Sequence, residues 1–93
     1  MDQNLVYKAL TCLAIEKTLL NIGKPVYDKM IRMLDKKHHC NLPDCYEHPE
    51  YLSDTLNEVF GNSYNVIVMD IRKELEEFVN KGSVERFIEV ISR

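Results

Sequence analysis

The chain has 93 residues, 45% hydrophobic and 29% charged, which suits one small folded core and excludes a disordered segment. A formal net charge of -3 and a pI near 5.6 exclude a broad basic face of the kind that neutralises nucleic-acid phosphates. The apolar residues near the N-terminus are broken by Lys8, Glu16 and Lys17, which argues against a signal peptide or membrane span. Three cysteines, an odd number, predict reduced thiols in a soluble cytoplasmic protein.

The first predicted helix runs from Asp2 to about Ile22. Val6, Ala9, Leu10, Leu13 and Leu20 form its apolar stripe, widened by Leu5, Cys12, Ile15 and Leu19. Asp2 is placed to accept from the free N–H groups at the start, and Gly23 to end the helix in a left-handed conformation. Cys12 falls inside this stripe and reads as a buried, inert thiol.

Pro25 suits the first turn of a second helix, because its missing N–H would have had no partner there. Tyr27, Met30, Ile31 and Leu34 follow at helical spacing, with Met30 and Met33 read as core fillers. Lys29, Arg32, Lys36, Lys37, His38 and His39 gather on and after this helix, but Asp28 and Asp35 interrupt them, and the group reads as a solvated face.

An irregular stretch from His38 to Pro49 comes next, since Pro43 and Pro49 disfavour helix at Leu42 and His48. Pro49 and Glu50 then suit the start of a third helix with Tyr51, Leu52, Leu56, Val59 and Phe60 on its apolar side. Gly61 and Asn62 end it. Ser63 or Asn65 is placed to cap a fourth helix, whose core positions are Val68, Ile71, Leu75, Phe78 and Val79. The run Val66 to Met69 alone resembles a strand, but no second such run exists to pair with it. Gly82 stops the fourth helix, and Ser83 is a candidate N-cap for a last one carrying Val84, Phe87, Ile88 and Ile91. That short helix has to dock on the others to be stable.

The sequence thus predicts an all-α protein: a compact bundle of about five helices in a single domain over residues 1–93, with an irregular Cys/His/Pro-containing loop between helices two and three. The loop is where chemistry is most readily imagined. Cys40, Cys45 and His48, with His38 or His39, offer thiolate and imidazole ligands suited to zinc. Against this, Cys-x4-Cys-x2-His is not a paired Cys-x2-Cys pattern, and all the ligands come from one segment. The alternative is that Cys40, Cys45 and Leu42 pack the loop onto the core, and that His48 caps the third helix. His38 and His39 are then solvated, Asp44 and Glu47 accept from local backbone, and Tyr46 and Tyr51 act as aromatic anchors.

Two further classes have less behind them. Cys40 or Cys45 with His48 names a nucleophile pair, but no glycine-rich phosphate loop or oxyanion-hole motif accompanies it, so the chain reads as a non-enzyme. A helix-turn-helix around Phe60 to Ser63 would make the fourth helix a DNA-reading element of a dimer, yet Tyr64 to Val68 bring no Lys or Arg to a groove.

Four segments carry a resemblance: Ala14 to Leu19, Gly23 to Tyr27, Leu42 to Leu52 (LPDCYEHPEYL) and Val59 to Gly61. On these residues, over roughly the first two-thirds of its length, the chain resembles the Nitrosopumilus output domains, most closely the fifth type. The resemblance implies a small archaeal signal-transduction output domain that occurs alone or at the end of a signalling protein, and it brings no catalytic or ligand residues. The functional expectation is a non-enzymatic signalling output or protein-interaction domain. It would act through a helical surface that includes Tyr46, Tyr51, Ile67 and Met69, with Val66 beside them, toward a protein partner or a second copy in a homodimer. No cofactor is required on this reading, zinc being the one alternative.

Overall fold

Gly23 and three prolines divide the chain into its helices. The computed structural model describes residues 3–93. Among them there are five α-helices and no strand: α1 (Gln3–Ile22), α2 (Lys24–His38), α3 (Pro49–Phe60), α4 (Tyr64–Glu74) and α5 (Gly82–Ile91). Short 3-10 turns lie at Leu42–Tyr46, Gly61–Ser63 and Glu76–Phe78.

The boundaries follow from local chemistry. The Gly23 N–H closes α1 on the Leu19 carbonyl, and the Gly23 carbonyl accepts from Tyr27 to open α2. Gly23 serves both helices with φ 155° and ψ 149°, a region essentially reserved for glycine, rather than with the left-handed helical conformation expected. Pro25 and Pro49 occupy first turns, as their missing donors require. Gly61 ends α3 at φ 52°. The proposed Asp2 cap lies outside the described residues.

α5 packs against both α1 and α3, and its Phe87 is the largest fully buried side chain. Val84, Phe87, Ile88 and Ile91 are all buried, as their spacing predicts. Gly82, with φ 43°, forms the first position of α5, so Ser83 lies inside the helix rather than capping it. Tyr64 secures α5 from α4: its hydroxyl donates to the Ile91 carbonyl and accepts from Ser53 on α3 at 2.6 Å.

α4 ends at Glu74 instead of running on through Val79. Leu75 donates to both Ile71 and Arg72, and Phe78 then turns back onto the Leu75 carbonyl. This tightening brings the Phe78 ring to 6.4 Å from Tyr7 on α1.

α1 also turns a different side inward from the one expected, its buried residues being Thr11, Ala14, Ile15, Thr18 and Leu19. Of the stripe expected to face the core, Val6, Ala9, Leu13 and Leu20 are exposed and Leu10 is half-buried. Both faces of this helix carry apolar residues at helical spacing. Periodicity therefore identifies the helix but not its inward side, and Thr11 and Thr18 make the true core face look the more polar of the two.

Candidate functional site

The loop after α2 is built from a sharp helix end and a turn that closes on itself. His39 takes the left-handed conformation, φ 51°, and its N–H caps the Asp35 carbonyl. Asn41 then donates its N–H to Asp44 Oδ2 at 2.9 Å, while the Asp44 N–H donates to the Asn41 carbonyl. Each of these two residues thus satisfies the other's backbone. The 3-10 turn between Leu42 and Tyr46 that results points Leu42, Cys45 and Tyr46 into the core.

That turn is fastened to the first half of α1. Tyr46 Oη donates to Asn4 Oδ1 at 3.1 Å and also meets Ser83 at the start of α5. Lys8 on α1 pairs with Glu47 at 2.6 Å. Tyr46 therefore does not keep a wet polar end as expected: ring and hydroxyl are buried and the hydroxyl is satisfied by protein.

The cysteines and histidines are sorted to opposite sides of the backbone. Cys40 and Cys45 are buried with their thiols in contact, and burial pushes both thiols up, Cys45 most strongly. His39 and His48 are exposed, and His38 is partly covered. Tyr51 lies between two imidazoles: His38 stacks on it at 4.4 Å and 12°, and His48 at 4.7 Å and 16°. His38 Nε2 lies 3.0 Å from Asp54, and His48 Nδ1 lies 3.3 Å from Glu50.

The zinc arrangement of Cys40, Cys45, His48 and His38 or His39 is consequently not assembled. Among the described residues no group of three or more His, Cys, Asp or Glu side chains is placed to hold a metal ion. Burial favours the neutral form of both thiols, against the thiolate that zinc binding or nucleophilic attack uses. The Cys45 and His48 pair also lacks the contact that catalysis requires, since the thiol faces the core and the ring faces Tyr51. His48 stands at the N-cap position of α3 but makes no side-chain capping bond.

Two members of the basic run at the end of α2 meet carboxylates of α3. Lys37 pairs with Asp54 and Glu58, and His38 shares Asp54. At the other proposed surface, Ile67 is buried with Val68 and Ile71, whereas Val66 and Met69 are 59% and 68% exposed. Tyr51 is partly buried by its two histidines. Of the four residues expected to contact a partner, only Met69 stands free on a helix surface. The first turns of α4 expose Asn65, Val66, Met69 and Asp70, with no cation among them.

The structure adds a surface that the sequence reading had turned inward. Leu5, Val6, Leu13 and Leu20 are 63%, 40%, 58% and 41% exposed along the outer side of α1. Next to them Leu5, Lys8, Ala9, Cys12, Leu13, Glu16 and Pro43 line one surface groove, in which the clipped turn supplies the far wall through Pro43. Cys12 is partly buried against the core at the edge of this groove rather than sealed inside, and its thiol is pushed up by burial and then by Glu16. The signal was present in the sequence as a surplus of leucines, more than one face of α1 can bury. No helix among the described residues is long and apolar enough to cross a membrane. No family model, curated protein or solved structure matches this chain.

Proposed function

We propose that this chain is a non-enzymatic protein-interaction domain of the signalling-output kind that its central motif resembles, working in the cytoplasm through the outer face of α1. The reading rests on the row Leu5, Val6, Leu13 and Leu20. Isolated exposed apolar side chains are ordinary, but a row along one helix face is the usual mark of a binding surface. Burying one Leu or Val completely is worth about 1.5–3 kcal/mol, so covering these four half-exposed side chains stabilises a complex by about 3–6 kcal/mol from this side alone. Association costs about 4–15 kcal/mol in lost freedom, so a matching contribution from a partner makes a reversible complex attainable. The loop from Cys40 to Tyr46 serves this surface by holding Pro43 beside α1.

The test is cross-linked affinity capture from cells expressing the chain, comparing the parent with Leu13→Asp. Leu13 is outside the core, so the variant should keep the parent's melting temperature and lose the captured species. Equal capture by both proteins would remove α1 from the mechanism.

A further inference from the structure

We propose that the groove on α1 receives α1 of a second copy, running antiparallel about a two-fold axis near Cys12. This rests on the reading of α1 as an interaction face and names its occupant. On the α1 side, facing Pro43, two rows of side chains line the groove, each advancing four residues at a time: Leu5, Ala9 and Leu13 on one, Lys8, Cys12 and Glu16 on the other. Rows at this spacing are the ridges that interdigitate when two helices cross. Ala9 at the middle of the first row is small and exposed, which lets a second helix approach closely.

Charge selects both the occupant and its direction. Lys8 and Glu16 lie at equal distances on either side of Cys12, one cationic and one anionic. In an antiparallel pair centred on Cys12, Lys8 of each copy comes opposite Glu16 of its partner, so two opposite-charge contacts form. A parallel pair would oppose lysine to lysine and glutamate to glutamate, which specificity by repulsion disfavours. The surface is therefore complementary to itself, the condition for an isologous dimer. Glu16 is partly sheltered and has no ion pair among the described residues. Lys8 already holds Glu47, and its ammonium has donors to spare for a second carboxylate.

The experiment is sedimentation equilibrium of the full chain under reducing conditions, from micromolar to millimolar concentration, with melting temperatures recorded for each variant. The parent should show a monomer–dimer equilibrium, and Glu16→Lys should weaken it about tenfold or more. The variant K8E/E16K/E47K reverses the groove charges and keeps the contact between positions 8 and 47 in mirrored sign, so it should recover dimerisation to within a few fold. A bismaleimide of short span should join two parent chains through Cys12 and leave Cys12→Ser unjoined. A parent that stays monomeric, or a dimer indifferent to Glu16→Lys or not rescued by the reversed variant, overturns the proposal. If the parent is monomeric while Leu13→Asp still abolishes capture from cells, the interaction reading stands and only the second copy is lost. If Leu13→Asp changes neither association nor capture, both fall.

Discussion

The phenol ring of Tyr51 lies flat against the imidazole of His38, with centroids 4.4 Å apart and planes 12° from parallel. This contact joins the end of α2 to the start of α3, and the same imidazole reaches Asp54 one turn further along α3. Around it the loop chemistry expected from the sequence separates into two parts: imidazoles and carboxylates outside, thiols and the Tyr46 ring inside.

Acid should loosen this junction through Asp54. The hydrogen bond from Lys37, then that from His38, holds its carboxyl below the usual carboxylate range. A depressed carboxyl contributes stability that is fully present above its unfolded pKa of about 3.9 and is lost as pH falls through the lower folded value. Thermal melts of the parent should therefore fall from about pH 4 downward, and Asp54→Asn should flatten that acid limb. Identical acid limbs in the two proteins would show that the carboxylate carries no linkage.

Thr11 is fully buried on the core face of α1, and its hydroxyl has no hydrogen-bond partner among the described residues. Thr11→Val keeps the shape and removes the desolvated hydroxyl, so chemical denaturation should show a gain of about 1 kcal/mol. A loss of stability would mean that the hydroxyl is satisfied in solution.

Cys45 is held wholly in the core against Cys40. Cys45→Ser places a more polar hydroxyl there and should cost about 1–3 kcal/mol. Its effect should be the same with and without chelator, and elemental analysis of the parent should find well under one zinc per chain. Stoichiometric zinc, with a melt that drops on chelation, would restore the metal site that the side-chain placement disperses.

On α4, Ile67 and Met69 should part company. Ile67 is buried and Met69 is 68% exposed. Ile67→Ala should cost about 2–5 kcal/mol by opening a cavity. Met69→Ala should stay within about 0.5 kcal/mol of the parent, as surface changes do. Denaturant titrations of the pair decide whether Ile67 belongs to the core.

Much of the architecture is legible in the chain itself, because helix ends depend on neighbours within a few residues. Pro25, Pro49, Gly61 and the spacing of Val84, Phe87, Ile88 and Ile91 each act locally, and each stands where expected. The end of α4 was not legible, since the period continues past Leu75, whereas in the fold the chain tightens there and sets Phe78 near Tyr7 on α1. The loop was half legible. That Cys40, Leu42 and Cys45 pack inward was one of its two readings, but the Tyr46 bond to Asn4 and the Lys8 bond to Glu47 span about forty residues and leave no local trace.

The sequence by itself determined that this protein is a bundle of about five helices, because hydrophobic period, glycine and proline act through the geometry of a single turn. Only the tertiary structure decided which side of α1 faces the core. A helix of period 3.6 presents leucines on one face and Ile15, Leu19 and two threonines on the other, and nothing local distinguishes inside from outside. The choice is made by what α2, α4 and α5 can pack against, and it leaves Leu5, Leu13 and Leu20 facing water.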